Sequence, residues 1–215
     1  MASVQSTELV YKNLKERITE GDFSPSEQLV EMDLARQYKV SRNTVKKALL
    51  MLEKENLIVI EPNKGAKVRS YSTAEILDFL EIRSVLEGLI ARLTAPVISE
   101  EQCRELEEIW KRMRQRNAER NLLAYSQDNR VFHQVIYDAC PNRRLAEMTI
   151  TLKNQLSKYN IKTILVPGRD ADSLAEHSAI LEAFKKRDGQ QAETLMRQHI
   201  MNVRATFSKF HKLLL

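Results

Sequence analysis

Only two cysteines, Cys103 and Cys140, occur in 215 residues. They are too few and too far apart for a disulfide framework, and such usage fits a reducing cytoplasm, where the chain is expected to reside. Five glycines and five prolines leave few breaks, and 43% of residues are hydrophobic. That balance excludes a disordered chain and suits a mainly helical protein of two modest domains. No apolar run approaches the roughly 20 residues of a membrane span, and the first residues do not read as the apolar stretch of a signal peptide. Internal repeats and low-complexity segments are also lacking. Charge is not concentrated either: the formal net charge is +5, but residues 1–70 carry 12 Lys and Arg against 10 Asp and Glu. Bulk charge therefore makes no case for nucleic acid. Placement of basic groups on one surface would have to do so, with affinity that weakens as salt rises.

Such placement is found in residues 40–49. Ser41 follows the apolar Val40 and can cap a helix whose Val45, Leu49 and Leu52 recur at helical spacing and bury one side. Arg42, Asn43, Lys46 and Lys47 then fall on the exposed side of the first turns, where helix-turn-helix proteins touch bases and phosphates. Residues 29–38 read as a preceding short helix with Leu34 and Ala35 inward, and Lys39-Val40 leave room for a tight turn. Leu57-Ile58-Val59-Ile60 and Ala66-Lys67-Val68 read as two short strands around Glu61-Pro62-Asn63-Lys64-Gly65, a wing whose Lys64 and Lys67 can reach phosphate or minor groove. An exposed basic helix can also be a solvated surface; helix, turn, helix and wing in succession argue against that alternative.

These residues resemble the GntR family of bacterial transcription regulators. The resemblance runs from Leu9 to Val68: a first helix through Ile18, Gly21-Asp22-Phe23-Ser24-Pro25, Leu34-Ala35, Val40-Ser41-Arg42, Val45, Ala48-Leu49, Leu52-Glu53 and Pro62-Asn63-Lys64-Gly65. It implies a winged helix in which Ser41, Arg42, Asn43 and Lys46 contact the operator and Gly65 lies at the wing tip. The chain departs from the family pattern at Ser26, where Gly is usual, at Thr44, where Pro is common, at Lys46-Lys47, where Arg-Glu is usual, and at Met32, often basic. A Lys cannot fork onto guanine as Arg does, so the operator sequence is expected to differ from those of relatives.

Arg69-Ser70-Tyr71-Ser72 reads as a linker, which places a DNA-binding domain at 1–70 and a second domain at 71–215. The second is expected to be all helical, with helices near 73–94, 99–118, 121–139, 143–163, 170–187 and 189–213. Six helices make a bundle large enough for an interior site. Three histidines fall on three different helices: His133, with Asn129 four residues before it on the same face, His177 and His199. A lone histidine is more often a surface or hydrogen-bonding residue. Three imidazoles converging with one oxygen ligand could instead hold Zn, Ni or Mn and leave positions open for an anion. Asp128 projects about 100 degrees from Asn129 around a helix and is not counted as a ligand. His211, near the C-terminus, is expected to be solvent-exposed.

From Ala74 to Phe207 the chain is similar to the FadR-type effector-binding domain, through Glu81-Ile82-Arg83, Leu86-Glu87, Phe132-His133, Asn142 with Leu145, and the two later His motifs. The resemblance implies a divalent metal held by Asn129, His133, His177 and His199, with Asn129 standing where Asp is frequent. It also implies that Arg83 lies near the effector pocket; the alternative for Arg83 is an ion pair with Glu87, four residues on. The expected function is thus a homodimeric regulator, most often a repressor in the family. It would read a palindromic operator in double-stranded DNA under the control of a small carboxylate such as an organic or sugar acid, with no membrane partner and no enzymatic activity. Two rivals stand beside it: a metal-dependent hydrolase, which would need a general base near the metal, with Glu176 projecting about 100 degrees from His177; and a dimeric DNA-binding protein without an effector.

Overall fold

The computed structural model describes the backbone of residues 2–62 and 64–214, and the side chains of these except 2–5, 157, 158 and 160–162. Asn63, read above as part of the wing turn, lies outside the described residues. Two compact units result: Met1–Ser72 with Asn154–Lys158, and Thr73–Lys153 with Tyr159–Leu215.

In the first unit α1 (Ala2–Glu20), α2 (Glu31–Tyr38) and α3 (Arg42–Lys54) accompany a small sheet of β1 (Gln28–Leu29), β2 (Ile58–Glu61) and β3 (Gly65–Val68). Val10, Leu14 and Ile18 from α1 bury against Leu34, Val45, Leu49, Leu52 and Ile58, which is the apolar stripe read from the sequence. The turn between α2 and α3 forms because Lys39 takes a left-handed conformation at φ 53° and Val40 N–H returns to Ala35 O at 3.0 Å. Ser41 then caps α3, its Oγ accepting Thr44 N–H at 3.1 Å.

The sheet has three strands where the sequence suggested two. β3 pairs antiparallel with β2 on one side, Glu61 opposite Gly65, and with β1 on the other, Gln28 opposite Lys67. Leu29, expected at the start of a helix, instead belongs to β1, and α2 begins at Glu31. Two residues carry no periodicity, so pairing with β3 was invisible before folding. Gly65 sits at φ +84°, which explains glycine at the wing turn. Ser26, where the family favours glycine, takes φ 67° and donates its N–H to Val68 O at 3.0 Å.

The second unit consists of α4 (Thr73–Thr94), α5 (Glu100–Ala118), α6 (Leu122–Asp138), α7 (Arg143–Thr163), α8 (Arg169–Lys185) and α9 (Gly189–Leu214). Every end lies within two residues of its expected position, because caps fix most of them. Ser99 and Gln102 form a reciprocal capping box on α5, and Asn121 and Asn142 accept the N–H groups of Ala124 and Leu145 at 3.1 Å. Ile90, Leu106, Met113, Phe132, Ile136, Ile180, Phe184 and Met196 build one core from five of the helices. The start of α9 lies so close to the end of α4 that a Cβ on Gly189 would stand 2.6 Å from Arg92 O. No described helix is long and apolar enough to cross a membrane.

Candidate functional site

Two surfaces carry chemistry, one in each unit. On α3 the buried face holds Thr44, Val45, Ala48, Leu49 and Leu52, so Arg42, Asn43, Lys46 and Lys47 are exposed together with Ser41. Arg42 is held loosely by Glu31 at 3.5 Å across from α2 and keeps 67% of its side chain in solvent. Lys64 is exposed at the wing turn, whereas Lys67 is drawn onto Glu61 and is half-buried. Glu61 in turn ionises more readily than usual because Lys67 donates to it. Met32 is exposed on α2.

The second site is the interior of the helical bundle. α6, α8 and α9 bring His133, His177 and His199 together, each buried, with one ligand-capable atom of each lying within 4.8 Å of the others. Their tautomers follow from what the outer nitrogens touch. His177 Nδ1 faces the Ser173 carbonyl at 2.6 Å, which only accepts, so Nδ1 carries the proton. His199 Nδ1 donates to Glu176 Oε2 at 2.6 Å. His133 Nδ1 lies 3.3 Å from Glu87 Oε2, outside hydrogen-bond geometry. In their neutral forms His177 and His199 then turn an Nε2 lone pair inward, and His133 Nε2 lies 3.2 Å from that of His177, within hydrogen-bond distance.

Burial keeps His133 and His177 neutral. The His133 pKa is pushed down to about 3, first by burial and then by the charge of Lys153, which together outweigh the attraction of Glu87. Burial and the other two imidazoles push His177 down as well. Burial works against ionisation of Glu87 too, yet the Arg83 guanidinium leads the charges that hold its carboxyl well below the usual range. We therefore take Glu87 as the ionised partner and His133 as neutral.

Two carboxylates form the outer shell of the triad. Glu176, on α8, accepts Arg169 at 2.7 and 3.1 Å and Asn202 at 2.7 Å while it orients His199. Glu87, on α4, is fully buried; Arg83 Nε and Nη2 reach its Oε1 at 2.8 and 2.7 Å, and Tyr137 donates to Oε2 at 2.6 Å. The ion pair weighed for Arg83 thus exists, but its Nη1 is buried without an acceptor. Lys153, on α7, points its Nζ to Tyr137 OH at 3.4 Å, and burial draws its pKa down to about 7.

Buried polar groups normally find partners, so the exceptions here are informative. Asn129 Oδ1, one turn before His133, is buried with no partner, as is His133 Nδ1. The three imidazole nitrogens suit a borderline divalent ion. The 3.2 Å between two Nε2 atoms also lies between the roughly 2.9 and 3.4 Å that two nitrogens about 2.0–2.1 Å from one ion span at right-angled and tetrahedral geometry. The residues fit a metal.

The two residues set aside in the sequence are engaged elsewhere. Asp128 is engaged by Arg112 at 3.0 Å, and His211, expected to be solvent-exposed, is half-buried with Nδ1 2.8 Å from Ser208 O. Sequence reasoning missed Ser173, Glu176 as an orienting group, Arg169, Asn202, Tyr137 and Lys153. For Ser173 and Tyr137 a signal existed, since each lies four residues from a histidine on the same helix. Lys153 had none.

Comparison with known proteins agrees with this architecture. Residues 6–68 match the family model described as bacterial regulatory proteins, gntR family, and residues 78–202 match that of the FCD domain. The chain is 26% identical over 194 residues to the HTH-type transcriptional repressor RspR of Escherichia coli (strain K12), covering 90% of this chain and 85% of that protein. It is 26% identical over 199 residues to the HTH-type transcriptional repressor GlaR of the same organism, covering 89% and 90%. Among solved structures, E. coli McbR/YncC has a similar fold at TM-score 0.83 and 21% identity, over 95% of this chain and 98% of that one. With an exposed basic recognition helix in the matched N-terminal region and a helical FCD domain over more than half of its length, the chain belongs to the GntR family and is a DNA-binding transcriptional regulator.

Proposed function

We propose that this regulator is a homodimeric repressor whose hold on a palindromic operator is controlled by a small carboxylate, an organic or sugar acid, bound at a divalent metal in the helical domain. Domain 1–70 reads double-stranded DNA through Ser41, Arg42, Asn43, Lys46 and Lys47, with Lys64 and Gly65 at the wing. Domain 71–215 senses the acid and joins two copies, and the protein works in the cytoplasm without enzymatic turnover. The observation that carries this reading is the convergence of three buried imidazoles whose Nδ1 atoms are turned outward.

His133, His177 and His199 with Asn129 hold the ion, which is Zn, Ni or Mn. When bound, it supplies a positive Lewis-acidic anchor for a carboxylate. The rest falls to the chain. Glu176 and Ser173 fix two imidazoles in the ligating tautomer, and Arg83 Nη1 offers a donor to the acid. A ligand that draws α4, α6, α8 and α9 onto one centre favours one packing of the bundle over another, and in a dimer that changes the spacing of two recognition helices. Dimerisation is supported by Ile82, Val85 and Leu89, exposed apolar residues at helical spacing on α4. The names of RspR and GlaR support repression.

A hydrolase would require a free general base beside the metal, and both neighbouring carboxylates, Glu87 and Glu176, are already engaged by an arginine and a further donor. The test is operator binding by the metal-loaded protein, titrated with a panel of carboxylates. A shift in operator affinity that needs both acid and metal, and that His133→Ala removes, is expected. Affinity indifferent to every acid and to metal would overturn the reading.

A further inference from the structure

Beyond the triad, the bundle sets two cations, Arg83 and Lys153, toward one carboxylate, Glu87. Arg83 is 4% exposed, and its Nη1 has no acceptor. Among the described residues, no carboxylate lies within ion-pair distance of Lys153 Nζ; its contacts are the neutral Tyr137 hydroxyl at 3.4 Å and the Tyr137 ring at 4.9 Å. Among the described residues the carboxylate facing these two cations is Glu87, and both its oxygens are taken, by Arg83 and by Tyr137. The charge of Arg83 also disfavours that of Lys153. The arrangement differs at Arg169, which is matched by the two oxygens of Glu176.

We propose that Lys153 is a second anion anchor beside the histidine triad, and that the ligand of this domain is therefore a dianion, such as a dicarboxylate, rather than a monocarboxylate. The inference rests on the carboxylate reading above and specifies its ligand class. One acid group belongs to the metal with Arg83 Nη1. The second pairs with Lys153, whose charge lacks a carboxylate partner at a half-buried position. Tyr137 couples the two ends, donating to Glu87 while it lies under the Lys153 ammonium, so the anchor is held in place before ligand arrives. An ion pair formed there in partial burial discriminates by charge count as well as by shape.

The test is calorimetric titration of the metal-loaded, full-length protein with succinate, glutarate and adipate against butyrate, valerate and hexanoate. At least one dicarboxylate is expected to bind about tenfold or more tightly than the monocarboxylate of equal carbon number, the scale of one charge-assisted bond. Lys153→Met should bring that ratio close to one without changing metal content by mass spectrometry. Lys153→Gln, which keeps a polar end, should do the same, and Lys153→Arg should retain part of the preference. Equal binding of both acid types by the unaltered protein, or a preference that survives Lys153→Met and Lys153→Gln, overturns the dianion assignment and leaves the carboxylate reading intact. If neither type of acid binds, both fall.

Discussion

His177 Nε2 and His133 Nε2 stand 3.2 Å apart, and because the Ser173 carbonyl claims the proton of His177 on its other nitrogen, the His177 Nε2 lone pair faces His133. A divalent ion ligated by both nitrogens would replace that single contact with two stronger bonds. Metal addition to the chelator-treated protein should therefore raise its melting temperature. At a hundredfold excess over Kd the gain is about 2.7 kcal/mol, or roughly 5–10 °C for a domain of this size. Differential scanning calorimetry checks this, and the shift should vanish in His177→Ala.

The metal-free protein should lose stability in mild acid. His133 has a folded pKa near 3 against an ordinary value of 6.5. Between those limits the unfolded chain binds the extra proton, so stability is full above about pH 6.5 and falls as pH drops toward 3, by about 1.4 kcal/mol per pH unit for such a group. His177 acts in the same direction. Urea midpoints of chelator-treated protein from pH 7.5 to 5.5 measure the slope, which should be shallower in His133→Gln.

Glu176 acts on the site through His199, to which it is joined at 2.6 Å. Glu176→Gln leaves the side chain's shape but no longer demands an Nδ1–H from the imidazole. Metal affinity should fall about 10–100-fold, the usual scale for an outer-shell partner of a ligating histidine. Competition with a chromophoric chelator reads this directly, and secondary structure by circular dichroism should be unchanged.

Ser26 holds a left-handed backbone at φ 67° in an exposed turn. Ser26→Gly relieves that strain at the cost of unfolded-state entropy and of a surface bond to Ser70. The net expectation is a stabilisation of about 0.5–1 kcal/mol, seen in chemical denaturation, with operator affinity unaltered.

On α3, Arg42 and Lys46 are exposed on the face opposite the buried stripe. Replacing either by Ala should weaken operator binding. Where the contact is to phosphate, the slope of log affinity against log salt should fall by about one for each residue. Fluorescence anisotropy with operator DNA at several salt concentrations measures both quantities. An unchanged operator affinity in the double variant would remove these residues from the interface.

Much of this protein is written in one dimension. The six helices of the second domain were legible because Ser99, Asn121 and Asn142 punctuate an apolar period of 3.6, and the recognition helix because Ser41 starts it and Val45, Leu49 and Leu52 fix its buried side. The three histidines could be named as candidates since each sat on its own amphipathic helix, with a family resemblance to select them. Their tautomers could not, because an imidazole's proton is set by whichever acceptor the fold brings near: Ser173 from the preceding turn, Glu176 from a different helix. Strand β1 likewise existed only once β3 offered its free edge. Local propensity and periodicity decided the elements and which faces they bury. The Arg83–Glu87 pair was legible as an i,i+4 spacing, but its extension across α6 and α7 to Tyr137 and Lys153, up to seventy residues away, was decided by tertiary structure alone, because electrostatics depends on distance in space and not on position in sequence.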